Sequence, residues 1–195
     1  MNESIINFLG ADLMSAEGMK FAEKVLDYMR DKLTQYQQET GNVYNLEATP
    51  GEGTTYRLAR LDKARYPEII VANEAAYKER QAAPYYTNSS QLHAATPIDV
   101  FDALELEDSL QTKYTGGTVF HAFLGERISD WKVAAQLVKT VAENFRLPYF
   151  TLSPTFSVCP KHGYISGEHQ FCPKCDEDVG YAGAVRMQAK EGCCK

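Results

Sequence analysis

All five cysteines of this 195-residue chain fall in its last fifth: Cys159, Cys172, Cys175, Cys193 and Cys194. Two short spacings stand out there. Cys159-Pro160-Lys161-His162 is a C-x-x-H turn, Cys172-Pro173-Lys174-Cys175 is a C-x-x-C turn, and nine residues separate them. Each turn can aim two side chains at one point, and two such turns supply the tetrahedral Cys3His set that zinc favours. Gly163 after the first pair and Gly167 in the connector permit tight backbone geometry. His169 is an alternative fourth ligand outside the turns. The imidazole and the closed set favour zinc over an iron–sulfur site, without removing iron from consideration. Four protein ligands leave no open position, so the site reads as structural. A secreted disulfide scaffold would spread its cysteines through the fold, whereas clustering at one end points to metal or redox chemistry. Cys193 and Cys194 form either a redox pair or part of a frayed tail.

Upstream of the knuckle the chain has ordinary globular character. Apolar residues make up 44% and charged residues 24%, enough to bury a core. The net charge of −6 argues against direct nucleic-acid binding, which needs a basic face. No stretch approaches the ~20 apolar residues of a membrane span. Met1 to Gly10 carries Glu3 and no basic segment, so it does not read as a secretory signal, and a cytoplasmic setting is expected.

Periodicity predicts a helix over 15–38, with Ser15 as N-cap and Gly41 as stop. A strand is expected over 42–48, a helix over 53–64 closed by Pro67, a mixed segment over 66–83 and an extended or looped segment over 84–92. A helix then starts at Thr96-Pro97 and runs to Gln111. Buried strands are expected over 118–124 and 149–152, with a helix from Ser129 to Phe145 between them. Strands separated by helices suggest an α/β region with parallel crossovers over residues 1–153. A small Gly-, Pro-, Cys- and His-rich module and tail follow over 154–195.

Several ordered segments resemble one family. They are Tyr44-Asn45-Leu46-Glu47-Ala48-Thr49-Pro50 with Glu52-Gly53-Thr54-Thr55-Tyr56-Arg57, then Tyr86-Thr87-Asn88-Ser89, then Leu110 to Thr118. Gly125-Glu126-Arg127-Ile128, Leu147-Pro148-Tyr149 and Thr155-Phe156-Ser157-Val158-Cys159-Pro160 continue the series. Together they are similar to the C-terminal third of anaerobic ribonucleoside-triphosphate reductases, from about residue 15 to residue 175.

The resemblance implies the later part of a ten-stranded glycyl-radical barrel. It also implies an oxidoreductase that converts ribonucleoside triphosphates to deoxyribonucleoside triphosphates. In that chemistry a glycyl radical generates a cysteine thiyl radical, which abstracts the ribose 3′ hydrogen. The partners implied are the ribonucleoside triphosphate, an upstream reductase half, a radical-SAM activase and a second copy in a homodimer. The zinc module would hold the glycyl loop.

The departures are specific. No cysteine precedes Cys159 to serve as the thiyl, so the isolated chain is expected to be inactive. Val179-Gly180-Tyr181 matches the radical-glycine context, but Gly180 lies five residues after Cys175 and no arginine precedes it in place. Gly180 is thus a candidate radical site with an ordinary turn as its alternative.

Thr54 and Thr55, before a helix, suit a phosphate or plain capping. Asn88 and Ser89 suit a substrate or a solvated turn. Gly116-Gly117 suits close ligand approach or a tight turn. Glu47 is an acid, a ribose contact or a salt-bridge partner, and His121 reads as a satisfied core histidine. The alternative to the reductase reading is a non-catalytic, zinc-stabilised module or truncated paralogue that docks on a partner chain.

Overall fold

The computed structural model describes residues 1–93, 96, 98–124, 128–154, 156–166 and 172–180. Among these are seven helices and four short strands: α1 Asn2–Leu9, α2 Ala16–Thr40, α3 Glu52–Arg65, α4 Glu74–Arg80, α5 Val100–Gln111, β1 Phe120–Leu124, α6 Trp131–Asn144, β2 Phe150–Pro154, β3 Phe156–Cys159, β4 Gly163–Ser166 and α7 Pro173–Asp178. The chain divides into two compact units, Met1–Ala122 with Val141–Thr151, and Phe123–Thr140 with Leu152–Lys195. No helix among the described residues is long and apolar enough to cross a membrane.

The first unit is built on α1, α2 and α5. Ser15 accepts the Gly18 amide at 3.0 Å and starts α2, satisfying one of the free amides of the first turn. Gly41 stops α2 in the left-handed region, φ 71°, where a Cβ is costly. Apolar residues at helical spacing on α2 place Ala22 and Leu26 inward against Ile5, Leu13, Leu46, Ala48, Leu110 and Tyr114. Asp99 caps α5 by accepting the Phe101 amide at 2.8 Å. The helix therefore begins at Val100, later than Thr96-Pro97; Pro97 lies outside the described residues.

Irregular segments of this unit are joined by side-chain carboxamides. Asn7 both donates to the Ile70 carbonyl at 2.9 Å and accepts its amide at 2.8 Å. Asn73 donates to the Ala83 carbonyl and accepts the Tyr85 amide, and Gln91 donates to the Val119 carbonyl. Asn7 and Asn73 each supply one donor and one acceptor, as a neighbouring strand would.

The barrel expectation is overturned. The described strands are four or five residues long. They pair only as β1 with β2 and β3 with β4, so the described part is mostly helical and forms no ten-stranded barrel. Closing a barrel requires every strand to have two neighbours. Residues 42–48, expected as a strand, form no ladder. Leu46 carbonyl accepts both the Thr115 and Gly116 amides, and Ala48 amide donates to Gly117; this is a loop-to-loop clasp. Strand β1 buries Phe120 and Ala122 and leaves His121 exposed, as alternation of successive side chains requires. His121 is therefore not a core histidine.

In the second unit β3 and β4 form an antiparallel hairpin, with Cys159 opposite Gly163. The turn between them ends at Gly163, φ 70°, a conformation glycine adopts without steric cost. Pro173 occupies the first turn of α7 and Cys172 its N-cap, where the missing proline N–H is not needed.

Candidate metal centre

The hairpin and the short helix each contribute two ligands. Cys159 ends β3 and His162 closes the turn that follows. Cys172 caps α7, and Cys175 lies inside its first turn, where its amide donates to Cys172 Sγ at 3.4 Å. One ligand atom from each of the four residues lies within 4.8 Å of all the others. His162 Nδ1 is 3.3 Å from Cys172 Sγ, 3.4 Å from Cys175 Sγ and 3.8 Å from Cys159 Sγ. Cys159 and Cys175 sulfurs are 3.7 Å apart.

These separations suit a metal-binding cluster and not a disulfide. A disulfide needs a sulfur–sulfur distance of about 2.05 Å, so 3.7 Å is not one. Two thiolates about 2.3 Å from a tetrahedral ion stand roughly 3.7 Å apart. Cys159 and Cys172 are only 4% and 6% exposed, so water does little to screen the charges gathered there. The Cys159 thiol is pulled down to about 6, chiefly by the His162 backbone amide. The Cys175 thiol is pushed up to about 12 by desolvation and by the sulfurs of Cys159 and Cys172. A cation among these sulfurs removes that repulsion and deprotonates its ligands. The donor set fits a metal ion, and with no ligand position left over it suits a structural role.

The other candidates have backbone tasks or stand exposed. The Asn88 side-chain oxygen Oδ1 accepts the Gly51 amide at 2.9 Å, at the entry of α3. Thr55 amide donates to the Gly51 carbonyl. Asn88 and Thr55 thus meet around Gly51, while Thr54 is exposed. Ser89 sits at positive φ, 46°. Gly180, exposed and at φ 78°, donates to the Glu177 carbonyl and closes the turn after α7. Glu47 is exposed and accepts from Asn45. A Cβ on Gly116 would lie 2.3 Å from Glu47 Cγ, so its lack of a side chain serves this contact. Gly167, His169, Cys193 and Cys194 lie outside the described residues.

Sequence reasoning missed one participant. Asp178, the last residue of α7, places Oδ2 3.2 Å from His162 Nε2 and 2.6 Å from Lys161 Nζ. Its spacing of three after Cys175 was the available signal, since i and i+3 share a helix face.

Comparison with known proteins gives the context. A family model described as "Anaerobic ribonucleoside-triphosphate reductase" matches residues 1–187. The anaerobic ribonucleoside-triphosphate reductase of Salmonella typhimurium is 22% identical over 190 residues, covering 94% of this chain and 24% of the relative. That of Enterobacteria phage T4 is 24% identical over 157 residues, 76% of this chain and 25% of the relative. A crystal structure of the anaerobic ribonucleotide reductase from Thermotoga maritima with glycerol in the active site superposes with a TM-score of 0.58. It is 26% identical and covers 83% of this chain and 24% of that one. The chain thus spans about a quarter of the length of these relatives.

The described residues do not assemble the catalytic centre expected of an oxidoreductase. Among the described residues there is no closed barrel and no radical-site constellation. The chemistry that is gathered is a metal-binding motif.

Proposed function

Because the chain belongs to the anaerobic ribonucleoside-triphosphate reductase family, we propose that it is a zinc-stabilised, non-catalytic module that docks on the remainder of a reductase of this family. The observation that carries this reading is the Cys159, His162, Cys172 and Cys175 cluster, whose ligand atoms lie within 4.8 Å of one another. Zinc is the ion we assign, because three thiolates and one imidazole at tetrahedral spacing match its preferred structural set. Such an ion links a hairpin and a six-residue helix that could not hold together alone, so binding and folding of the module are one event.

Docking is supported by the surface of the first unit. Tyr28, Met29 and Tyr36 on α2, and Tyr56, Leu58 and Leu61 on α3, are all exposed. Large exposed apolar surface is the usual mark of an interaction face. We place the assembly in the cytoplasm, where thiols remain reduced.

Two measurements test the reading. Elemental analysis of the purified chain is expected to give one zinc per chain, lost in Cys172→Ser; a metal-free parent refutes the metal assignment. Sedimentation of the chain mixed with its cognate reductase polypeptide is expected to give a joint species; separate boundaries at micromolar concentrations refute docking.

A further inference from the structure

His162 is held from both sides. Its Nδ1 faces three sulfurs at 3.3 to 3.8 Å. Its Nε2 faces Asp178 Oδ2 at 3.2 Å. The same carboxylate oxygen accepts from Lys161 Nζ at 2.6 Å. Lys161 and His162 belong to the hairpin turn and Asp178 to α7, so this contact joins the two ligand-bearing pieces by a route outside the ligand set.

A neutral imidazole carries one N–H and one lone pair, and which nitrogen holds the proton depends on what each faces. A carboxylate at Nε2 can only accept. It therefore keeps the proton on Nε2 and leaves the Nδ1 lone pair directed at the sulfurs. The alternative tautomer would aim an N–H at the position where a metal ion bonds and a lone pair at an anion. Lys161 opposes the negative charge of Asp178 and restrains its carboxylate. The side chain of Asp178 is 43% exposed and that of Lys161 66%. A pair this exposed adds little to fold stability, so its effect belongs to the ligand it orients.

We propose that Asp178 is the positioning residue of the metal centre, fixing His162 as an Nδ1 ligand with Lys161 as its counter-ion. This rests on the metal assignment made above. Outer partners of ligating histidines typically change metal affinity by about 10- to 100-fold when removed.

The test uses the full chain and Zn2+ alone. Affinity is measured by competition with a chromophoric chelator in the parent, Asp178→Ala, Asp178→Asn and Lys161→Ala. Long-range proton–nitrogen correlation NMR of the zinc-loaded chains reads the His162 tautomer and the exchange of its Nε2 proton. Asp178→Ala is expected to keep one zinc per chain but bind it on the order of 10- to 100-fold more weakly, with faster exchange of the Nε2 proton. Asp178→Asn retains an oxygen acceptor without the charge, and its affinity is expected to fall between the two. Lys161→Ala should show the smallest loss. A parent that takes up zinc while Asp178→Ala binds equally tightly, with unchanged Nε2 exchange, overturns this proposal alone. A parent that takes up no zinc overturns it together with the reading on which it rests.

Discussion

Glu107 Oε2 accepts a hydrogen bond from Gln111 Nε2 at 2.9 Å, one helical turn apart and wholly shielded from solvent. The other carboxyl oxygen accepts the Leu92 amide at 2.9 Å, and Gln111 Oε1 accepts from the Thr118 hydroxyl. A buried acid without a cation beside it prefers its proton, and burial pushes Glu107 up to about 7 against the two hydrogen bonds that favour ionisation. The folded chain then holds a proton that the unfolded chain has already released. Stability therefore falls as pH rises from about 4.5 to about 7 and stays at the lower level above that. The loss is on the order of 3 kcal/mol, because each tenfold difference in proton affinity between the folded and unfolded chain is worth about 1.4 kcal/mol. Urea melts followed by circular dichroism are expected to show this slope in the parent and its absence in Glu107→Gln. Equal slopes in the two proteins would remove Glu107 as the cause.

Gly116 lies against Glu47, where an added Cβ would come within 2.3 Å of Cγ and 3.0 Å of Asn45 Nδ2. Gly116→Ala is expected to cost about 1–3 kcal/mol, as overpacking does. Glu47→Ala removes the obstructing atom. The double variant should therefore recover most of the loss, and a double-mutant cycle measures this directly. Additive losses would mean that the backbone, rather than Glu47, rejects the side chain.

His162→Cys replaces the imidazole by a fourth thiolate and keeps four donors, whereas Cys159→Ser deletes a thiolate. Zinc retention after dialysis against a competing chelator should survive the first change and be lost in the second. Zinc uptake also releases protons from the thiols, so affinity is expected to rise with pH. An affinity that stays constant across neutral pH would argue against thiolate ligation.

Ser15→Ala removes the acceptor of the Gly18 amide. The expected loss is about 1 kcal/mol, read as a lower urea midpoint with an unchanged slope. Ser15→Asp should restore it, because a carboxylate caps the same amide and complements the helix dipole.

The features that could be read in the sequence were those whose cause is local. Ser15 and Gly41 bracket α2 because a cap and a left-handed glycine act within a few residues. The knuckle was legible because each ligand pair sits in one turn. Features set by distant partners were not. Residues 42–48 have strand-forming side chains, yet their partners are loop amides at Thr115 and Gly116, so no ladder forms. Helix α4 is seven residues long and depends on Glu74 accepting from the Val71 amide and the Lys63 ammonium; no periodicity of its own announces it. His121 was misplaced because the apolar run around it hid the in–out alternation. The barrel was inferred from a resemblance, but sheet closure is the least local property of a fold. The described strands find one neighbour each.

Asn7, Asn73 and Asn88 take the place of strand partners for loops that would otherwise lack them. Hydrolysis of the Asn7 or Asn73 side-chain amide would exchange a donor for an anion. At Asn7 that anion would face the Ile70 carbonyl, and at Asn73 the Ala83 carbonyl. A charge appearing at Asn7 would thus be felt 63 residues away, at the backbone of Ile70.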